Sequence, residues 1–386
     1  MKARFSVGLI ALILLVLLLL NLSALAWLGW PVLSSSGAAV KPRPAGALSQ
    51  TDPSAPSPSP SLPPTATASL TPSATPTLLP PTQTAIPIQA GPLDARETLD
   101  QQGALIVSIR DGAYAHLFAY HPGLLPLTRL TSTAWDEIDP AVSPDGSRLA
   151  YASRQNGFWD LYIRDLDSGE VQQITDTPGY DGKPSWSPDG LWLVSESYQN
   201  DNLDLYLRSI ADLSQPPIRL TEDLAADSAP SWSPQGRKIT YVSTRAGSPA
   251  IWTADLDRTD SGRFSALTAG RPAAAAAPVW SPNGRYLAWS ETLSGVNRLV
   301  IWDSQNPAQA PRDLAPGGRM AWTPDNRYIL QALDGPNQNS LVSLDAASGF
   351  QTAPLVGVAG KIYGMAWKPG PLTGWLAGGL ARADRA

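Results

Sequence analysis

The chain has 386 residues, no cysteine, 38 prolines and 14 tryptophans, with 16% charged residues and a formal net charge of −5. Zero cysteines exclude disulfides, thiol catalysis and cysteine-held zinc or iron–sulfur centres. The acidic balance argues against general polyanion binding, and proline at about twice its usual share of roughly 5% argues against a single helical domain.

Lys2 and Arg4 precede a charge-free stretch from Phe5 to Val40, almost wholly apolar from Val7 to Trp30. At 1.5 Å per residue those apolar residues span about 36 Å, enough for a hydrocarbon core of roughly 30 Å. Trp27 and Trp30 stand where an interfacial aromatic belt falls. The pattern predicts a cytoplasmic stub at 1–4 and a signal anchor or transmembrane helix at 5–30. The chain is then a single-pass cell-membrane protein with an extracytoplasmic bulk. A rival reading is a signal peptide cleaved after Ala26, at Ala24-Leu25-Ala26, releasing a secreted sensor head. The length of the apolar run favours the anchor.

Residues 31–98 read as a Pro/Ser/Thr-rich linker. Its core, 41–92, holds 14 prolines and one acid, Asp52. It lacks the apolar periodicity needed to bury a face, so it is expected to stay disordered or polyproline-like. Extended at about 3.1 Å per residue, it reaches on the order of 160 Å.

From residue 99 to 371 the chain repeats itself. Ser143-Pro144-Asp145-Gly146 recurs as Ser187-Pro188-Asp189-Gly190, Ser233-Pro234-Gln235-Gly236, Ser281-Pro282-Asn283-Gly284 and Thr323-Pro324-Asp325-Asn326, with a degenerate Lys368-Pro369-Gly370. Trp186, Trp232, Trp280, Trp322 and Trp367 stand two residues before the motif proline. Short β-type runs follow each motif, and Asp165, Ser209, Asp255, Asp303 and Asp345 close the second run 21 residues after the motif proline. A period of 42 to 48 residues with about four short strands each is the signature of propeller blades. Leu105 to His121 matches the 16-residue interval between the two runs in the other repeats. The N-terminal piece is therefore a blade lacking its first strand, and Gly364-Met365-Ala366-Trp367 is that strand. The fold class is all-β: a six-bladed β-propeller whose last blade is closed by both chain ends, after a transmembrane helix and a disordered linker. Pro140, Pro184, Pro230 and Pro278 are expected at the starts of first strands, and 372–386 is a tail without an assigned role.

The repeat resembles the TolB-like, WD-type β-propeller repeat. Pro184-Ser185-Trp186-Ser187-Pro188-Asp189-Gly190 and Pro230-Ser231-Trp232-Ser233-Pro234-Gln235-Gly236 carry the resemblance best. It implies a non-catalytic protein of the cell envelope that works by protein–protein contact. The family's namesake has an extra N-terminal α/β domain, where this chain has an anchor and a linker. Similar blades also form the lid of prolyl oligopeptidase-type enzymes.

The residue inventory points away from catalysis. There is no G-x-S-x-G elbow, phosphate loop or H-E-x-x-H motif. The two histidines, His116 and His121, are five apart on one strand and face opposite ways, unsuited to share a metal. No cofactor is implied. Glu137, Asp181 and Asp227 hold one repeat position and are expected to ring a sector of the central mouth. They read either as a cation site, supporting an alternative metal-dependent or hydrolytic enzyme, or as turn and capping carboxylates. Asp165-Leu166-Asp167-Ser168-Gly169 lacks the glutamate of a calcium loop and reads as a hairpin turn. The face shared by the blade-linking loops and the loops between second and third strands collects Tyr114, Trp135, Asn156, Phe158, Trp159, Tyr180, Tyr198, Asn200 and Asn202. Aromatics with amides suit contact with an envelope protein or glycan, although some of these side chains are expected to pack between blades. The five recurring tryptophans read as inter-blade core. Nucleic acid is not an expected partner: from residue 93 on, 24 Lys and Arg face 32 Asp and Glu.

Overall fold

A computed structural model describes residues 103–122, 125–335, 338–352 and 354–370. The predicted anchor, most of the linker and the tail lie outside the described residues. Among those described, the one helix is a 3-10 turn at Ser261–Arg263, and none is long and apolar enough to cross a membrane.

The described residues begin with β1 (Ala104–Asp111), β2 (Tyr114–His121) and β3 (Leu125–Arg129). The first complete blade follows as β4 (Glu137–Val142), β5 (Arg148–Ser153), β6 (Asp160–Asp165) and β7 (Val171–Gln173). Blade two is β8 (Tyr180–Trp186), β9 (Trp192–Gln199), β10 (Asn202–Ser209) and β11 (Ile218–Arg219). Blade three is β12 (Asp227–Trp232), β13 (Lys238–Ser243), β14 (Ala250–Asp255) and β15 (Phe264–Ala266). Blade four is β16 (Ala274–Trp280), β17 (Tyr286–Leu293), β18 (Val296–Asp303) and β19 (Arg312–Pro316). Blade five is β20 (Met320–Trp322), β21 (Tyr328–Leu333), β22 (Asn339–Asp345) and β23 (Val356–Val358). The last strand, β24 (Ile362–Lys368), pairs antiparallel with β1, from Ala104 opposite Lys368 to Ser108 opposite Gly364. Blade six thus runs β24-β1-β2-β3. The two chain ends close one sheet, as the matched intervals predict, and the ring closes on itself, with a free edge left only at the short outermost strand of each blade.

Six apolar clusters each fill one junction between neighbouring blades. β1 shows why: Leu105, Val107 and Ile109 face blade five, whereas Ala104 and Ile106 face the first complete blade. Side chains alternate across a strand, and both faces of a blade are covered. Middle strands therefore read as near-continuous apolar runs, such as Leu149-Ala150-Tyr151-Ala152, all buried.

The motif turns are held by their own side chains. Ser187 and Ser281 hydroxyls accept the Trp192 and Tyr286 amides at 2.9 Å, and each donates to the acid or amide two residues on. Gly146, Gly190 and Gly284 take φ of 69–75°, a conformation that costs L-residues about 1–2 kcal/mol.

One expectation is corrected. Pro140, Pro184, Pro230 and Pro278 stand in the middle of β4, β8, β12 and β16, not at their starts. Each marks a β-bulge, where the register shifts between Ile138 and Ala141, Gly182 and Ser185, Ser228 and Ser231, and Ala276 and Val279. The residue before each proline is left-handed: Asp139, Lys183, Ala229 and Ala277, with φ of 48–56°. Proline is tolerated there because a bulged innermost strand has no ladder hydrogen bond to give up.

Candidate functional site

The loops between second and third strands and the blade-linking loops share one rim. Arg154 N–H donates to the Asp136 carbonyl (3.1 Å) and Asp181 N–H to the Trp159 carbonyl (2.8 Å), tying loops of the two classes together. The motif turns lie on the opposite rim.

The expected contact residues divide. Tyr114, Phe158 and Tyr198 are 38%, 54% and 47% exposed, and Asn156 and Asn200 are also exposed. Asn200 and Asp201, at φ of 53° and 61°, form the two-residue hairpin between β9 and β10. Trp135, Trp159, Tyr180 and Asn202 are half-buried. Trp159 packs against the junction of blades one and two and lies beneath the Arg154 guanidinium, 5.7 Å from its ring centroid. The Tyr180 hydroxyl donates to Glu196 Oε1 (2.8 Å), and burial, then the Glu196 charge, pushes the phenol far up. Asn202 Nδ2 donates to the Asp223 carbonyl (2.7 Å). The exposed members are Tyr114 on blade six, Asn156 and Phe158 on blade one, and Tyr198 and Asn200 on blade two.

The recurring acids do not stand in an open mouth. Glu137, Asp181 and Asp227 are 2%, 2% and 0% exposed. Their strand positions lie opposite Ser153, Ser197 and Ser243 of the neighbouring strand. Asp181 accepts from the Thr177 hydroxyl (2.8 Å) and Asp227 pairs with Arg245 (2.8 Å). Burial pushes the Glu137 and Asp227 carboxyls up. Among the described residues, no three His, Asp or Glu side chains stand close enough to share a metal ion. His116 and His121 are both buried, and burial lowers the His116 imidazole. In the Asp165 turn, Oδ1 accepts the Asp167 and Ser168 amides at 3.0 and 2.7 Å, and Gly169 is left-handed. It is a hairpin turn held by its own carboxylate.

Several buried polar groups escaped the sequence reading. Glu196 accepts from Tyr180 and from the Ala229 amide (2.7 Å), joining blades two and three near the axis. Glu291 takes over the acid's place in blade four, where Ala275 stands across from it, and holds Arg271 and Arg298. Burial works against its charge, but the hydrogen bonds from Arg271 and Trp289, and then Arg298, outweigh it and hold the carboxyl below its usual range. Thr131, Thr175, Thr221 and Thr268 each accept the amide of Leu117, Leu161, Leu205 or Ile251 at 2.8–3.0 Å. These threonines recur with the blade period, so the signal was present in the sequence.

The motif tryptophans do pack at the junctions. Trp186 and Trp322 are 6% and 3% exposed, and their indole N–H groups donate to the preceding blade's inner strand, at the Ala141 carbonyl (2.9 Å) and the Val279 carbonyl (3.2 Å). Trp280 donates to Thr240 Oγ1 (3.0 Å). Trp232 departs: it is half-buried and donates to the Gly236 carbonyl of its own motif turn (3.2 Å).

A family model described as the TolB beta propeller domain matches residues 127–371. The Tol-Pal system protein TolB of Bordetella pertussis is 42% identical over 124 residues, 32% of this chain and 28% of that protein. The protein TolB homolog of Chlorobium luteolum is 27% identical over 130 residues, 34% of this chain and 29% of that protein. The matched stretch thus spans less than a third of these curated relatives. Among solved structures, TolB from Acinetobacter baumannii superposes with a TM-score of 0.61 at 23% identity, over 69% of this chain and 66% of that one. A chain of Kuenenia stuttgartiensis hydrazine synthase superposes with a TM-score of 0.57 at 13% identity, over 73% of this chain and 50% of that one. At these identities the likeness shows the fold alone. An enzyme among the neighbours means that the fold does not decide for or against catalysis.

Proposed function

Because the chain belongs to the TolB beta propeller family, we propose that it is a non-catalytic recognition protein of the cell envelope, binding a protein partner through its loop rim. The observation that carries this reading is the cluster of exposed Tyr114, Phe158 and Tyr198 with Asn156 and Asn200, on neighbouring blades of one rim. Aromatic side chains order on binding at low entropic cost and dominate contact surfaces. A protein is preferred to a glycan because relatives bear the name of a Tol-Pal system protein.

Residues 5–30 would anchor the chain in the membrane, and 31–98 would space the propeller from it. The described chain enters at Gly103, beside Lys368 and Gly370 on the motif-turn rim.

The test is retention of an envelope partner by wild type and by Phe158→Ala/Tyr198→Ala. Both side chains are exposed, so folding should be unaffected. Loss of two aromatic anchors at about 2 kcal/mol each weakens binding on the order of a thousandfold. Unchanged retention refutes the assignment of this rim.

A further inference from the structure

At the junction of blades one and two, Arg148 lies over the Trp186 ring at 4.7 Å. At the junction of blades four and five, Tyr286 stacks on Trp322 with ring centroids 6.2 Å apart. Arg148 and Tyr286 each stand four residues after a motif proline, and Trp192 holds that place in blade two. Trp232 is the motif tryptophan of blade three, and its N–H turns to its own Gly236. Trp192 and Trp232 line a groove of about 340 Å³ among the motif turns. That volume lies at the lower end of the roughly 300–1,000 Å³ of small-ligand sites.

The groove also has polar groups with bonding capacity to spare. Asp189 lines it, and its Oδ1 accepts the Ser187 hydroxyl and the Leu191 amide (3.0 Å). Its Oδ2 accepts no hydrogen bond among the described residues. The Ser187 hydroxyl, then the Leu191 amide, hold the carboxyl below its usual range, so it is ionised at neutral pH. Arg237 lines the groove as well; its Nε donates to Asp257 (2.7 Å), and its two Nη groups have no acceptor among the described residues. The Trp192 indole N–H also lacks one, whereas those of Trp186, Trp232, Trp280 and Trp322 are all bonded.

This combination selects among ligand classes. One acid and one arginine at the same groove leave no net sign for a cation or an anion to follow. A lipid chain would cover both charges and satisfy neither. A polyproline segment could use the indoles and the indole N–H, but its prolines have no N–H to offer Asp189. A neutral saccharide meets every group. Its hydroxyls donate to a carboxylate and accept from a guanidinium or an indole N–H. The C–H bonds on one face of a sugar ring carry partial positive charge and suit the negative face of an indole.

We propose that the groove between blades two and three is a binding site for a neutral saccharide, with Trp192 and Trp232 packing on the sugar rings and Asp189 and Arg237 bonding its hydroxyls. The site lies on the motif-turn rim, so it is separate from the loop rim and leaves that rim free.

The fold supplies its own conservative variants for the test. Trp192→Arg places at this junction the residue that Arg148 already is in blade one. Asp189→Asn copies Asn283, whose Oδ1 accepts the Ser281 hydroxyl (2.8 Å) and the Arg285 amide (3.0 Å) in the equivalent turn. The full chain, held in a detergent without a sugar headgroup, is titrated by calorimetry with cellotriose, maltotriose, mannotriose and triacetylchitotriose. At least one should bind with a dissociation constant on the order of a millimolar or tighter. Trp192→Arg and Asp189→Asn should each weaken it at least tenfold, and either variant decides the question provided its circular dichroism matches wild type. Trigalacturonate, which carries a carboxylate on each ring, and decaproline serve as the competing classes. No trisaccharide binding up to about 10 mM, undiminished binding in the folded variants, tighter binding of trigalacturonate, or binding of decaproline in place of the sugars would overturn the proposal.

Discussion

Replacing Trp322 with alanine tests whether the recurring tryptophans hold the ring together. Trp322 is 3% exposed and packs among Ala288, Leu299, Met320, Ile329 and Leu344 at the junction of blades four and five. Truncation removes the buried indole and leaves a cavity, which costs about 3–5 kcal/mol for a tryptophan. It also removes the stack on Tyr286 and orphans the Val279 carbonyl, contacts worth about 1 kcal/mol each that partly overlap with the burial term. The expected loss is about 4–5 kcal/mol. With an m-value near 3 kcal/mol/M, the urea midpoint falls by more than about 1 M. Trp232 provides the internal comparison: it is half-buried, faces an open groove and bonds within its own turn. Trp232→Ala should cost about 1–2 kcal/mol by the area it removes from water. The assay is urea unfolding followed by circular dichroism, with m checked for equality. Equal losses for the two variants, or a loss under about 1 kcal/mol at Trp322, would refute the reasoning.

Other outcomes follow from the same structure. A Cβ on Gly364 would meet Pro140 Cδ at 2.9 Å and Asp139 Cα at 3.0 Å, so Gly364→Val should cost about 1–3 kcal/mol in denaturant unfolding. Asp201 sits at φ of 61° in a two-residue hairpin, so Asp201→Gly should be neutral or raise stability by up to about 1 kcal/mol in the same assay. Glu291 is a carboxyl held below its usual range by its arginines. Its stabilisation is fully present above the ordinary glutamate pKa and is lost as pH falls through the lower folded value. Glu291→Gln should therefore be less stable than wild type by about 3 kcal/mol at pH 7, with the gap closing below about pH 4. A gap that widens on acidification would reverse the assigned sign.

The ring was legible in the sequence because a repeat states its own geometry. Leu105 to His121 matches the strand interval of the other blades, and Trp367, in motif register on a spare first strand, completes the pairing of β24 with β1. The bulges were not legible, since the mid-strand position of Pro140 or Pro184 depends on how closely the inner strands approach the axis. The burial of the recurring acids was not legible for a related reason. Glu137, Asp181 and Asp227 share a repeat position, but their burial depends on the strand across from them. Ala275 shows the trade, because the acid of that blade moved to Glu291 on the neighbouring strand. Exposure along the loop rim is likewise set by neighbours that are remote in sequence. Tyr180 and Tyr198 are cross-strand partners, yet only Tyr180 finds a buried acceptor in Glu196. Trp232 fits the repeat, yet its indole bonds within its own turn, whereas those of Trp186 and Trp322 reach the preceding blade.

The central claim is that the loop rim of blades six, one and two is the surface that meets the partner. Hydrogen exchange on the propeller, alone and with its captured envelope partner, measures it most directly. The account predicts slowed exchange at residues 112–115, 154–160 and 198–202, with the motif turns at 143–146, 187–190 and 233–236 unchanged. Slowing confined to the motif turns, or absent from all three loop segments, would contradict it.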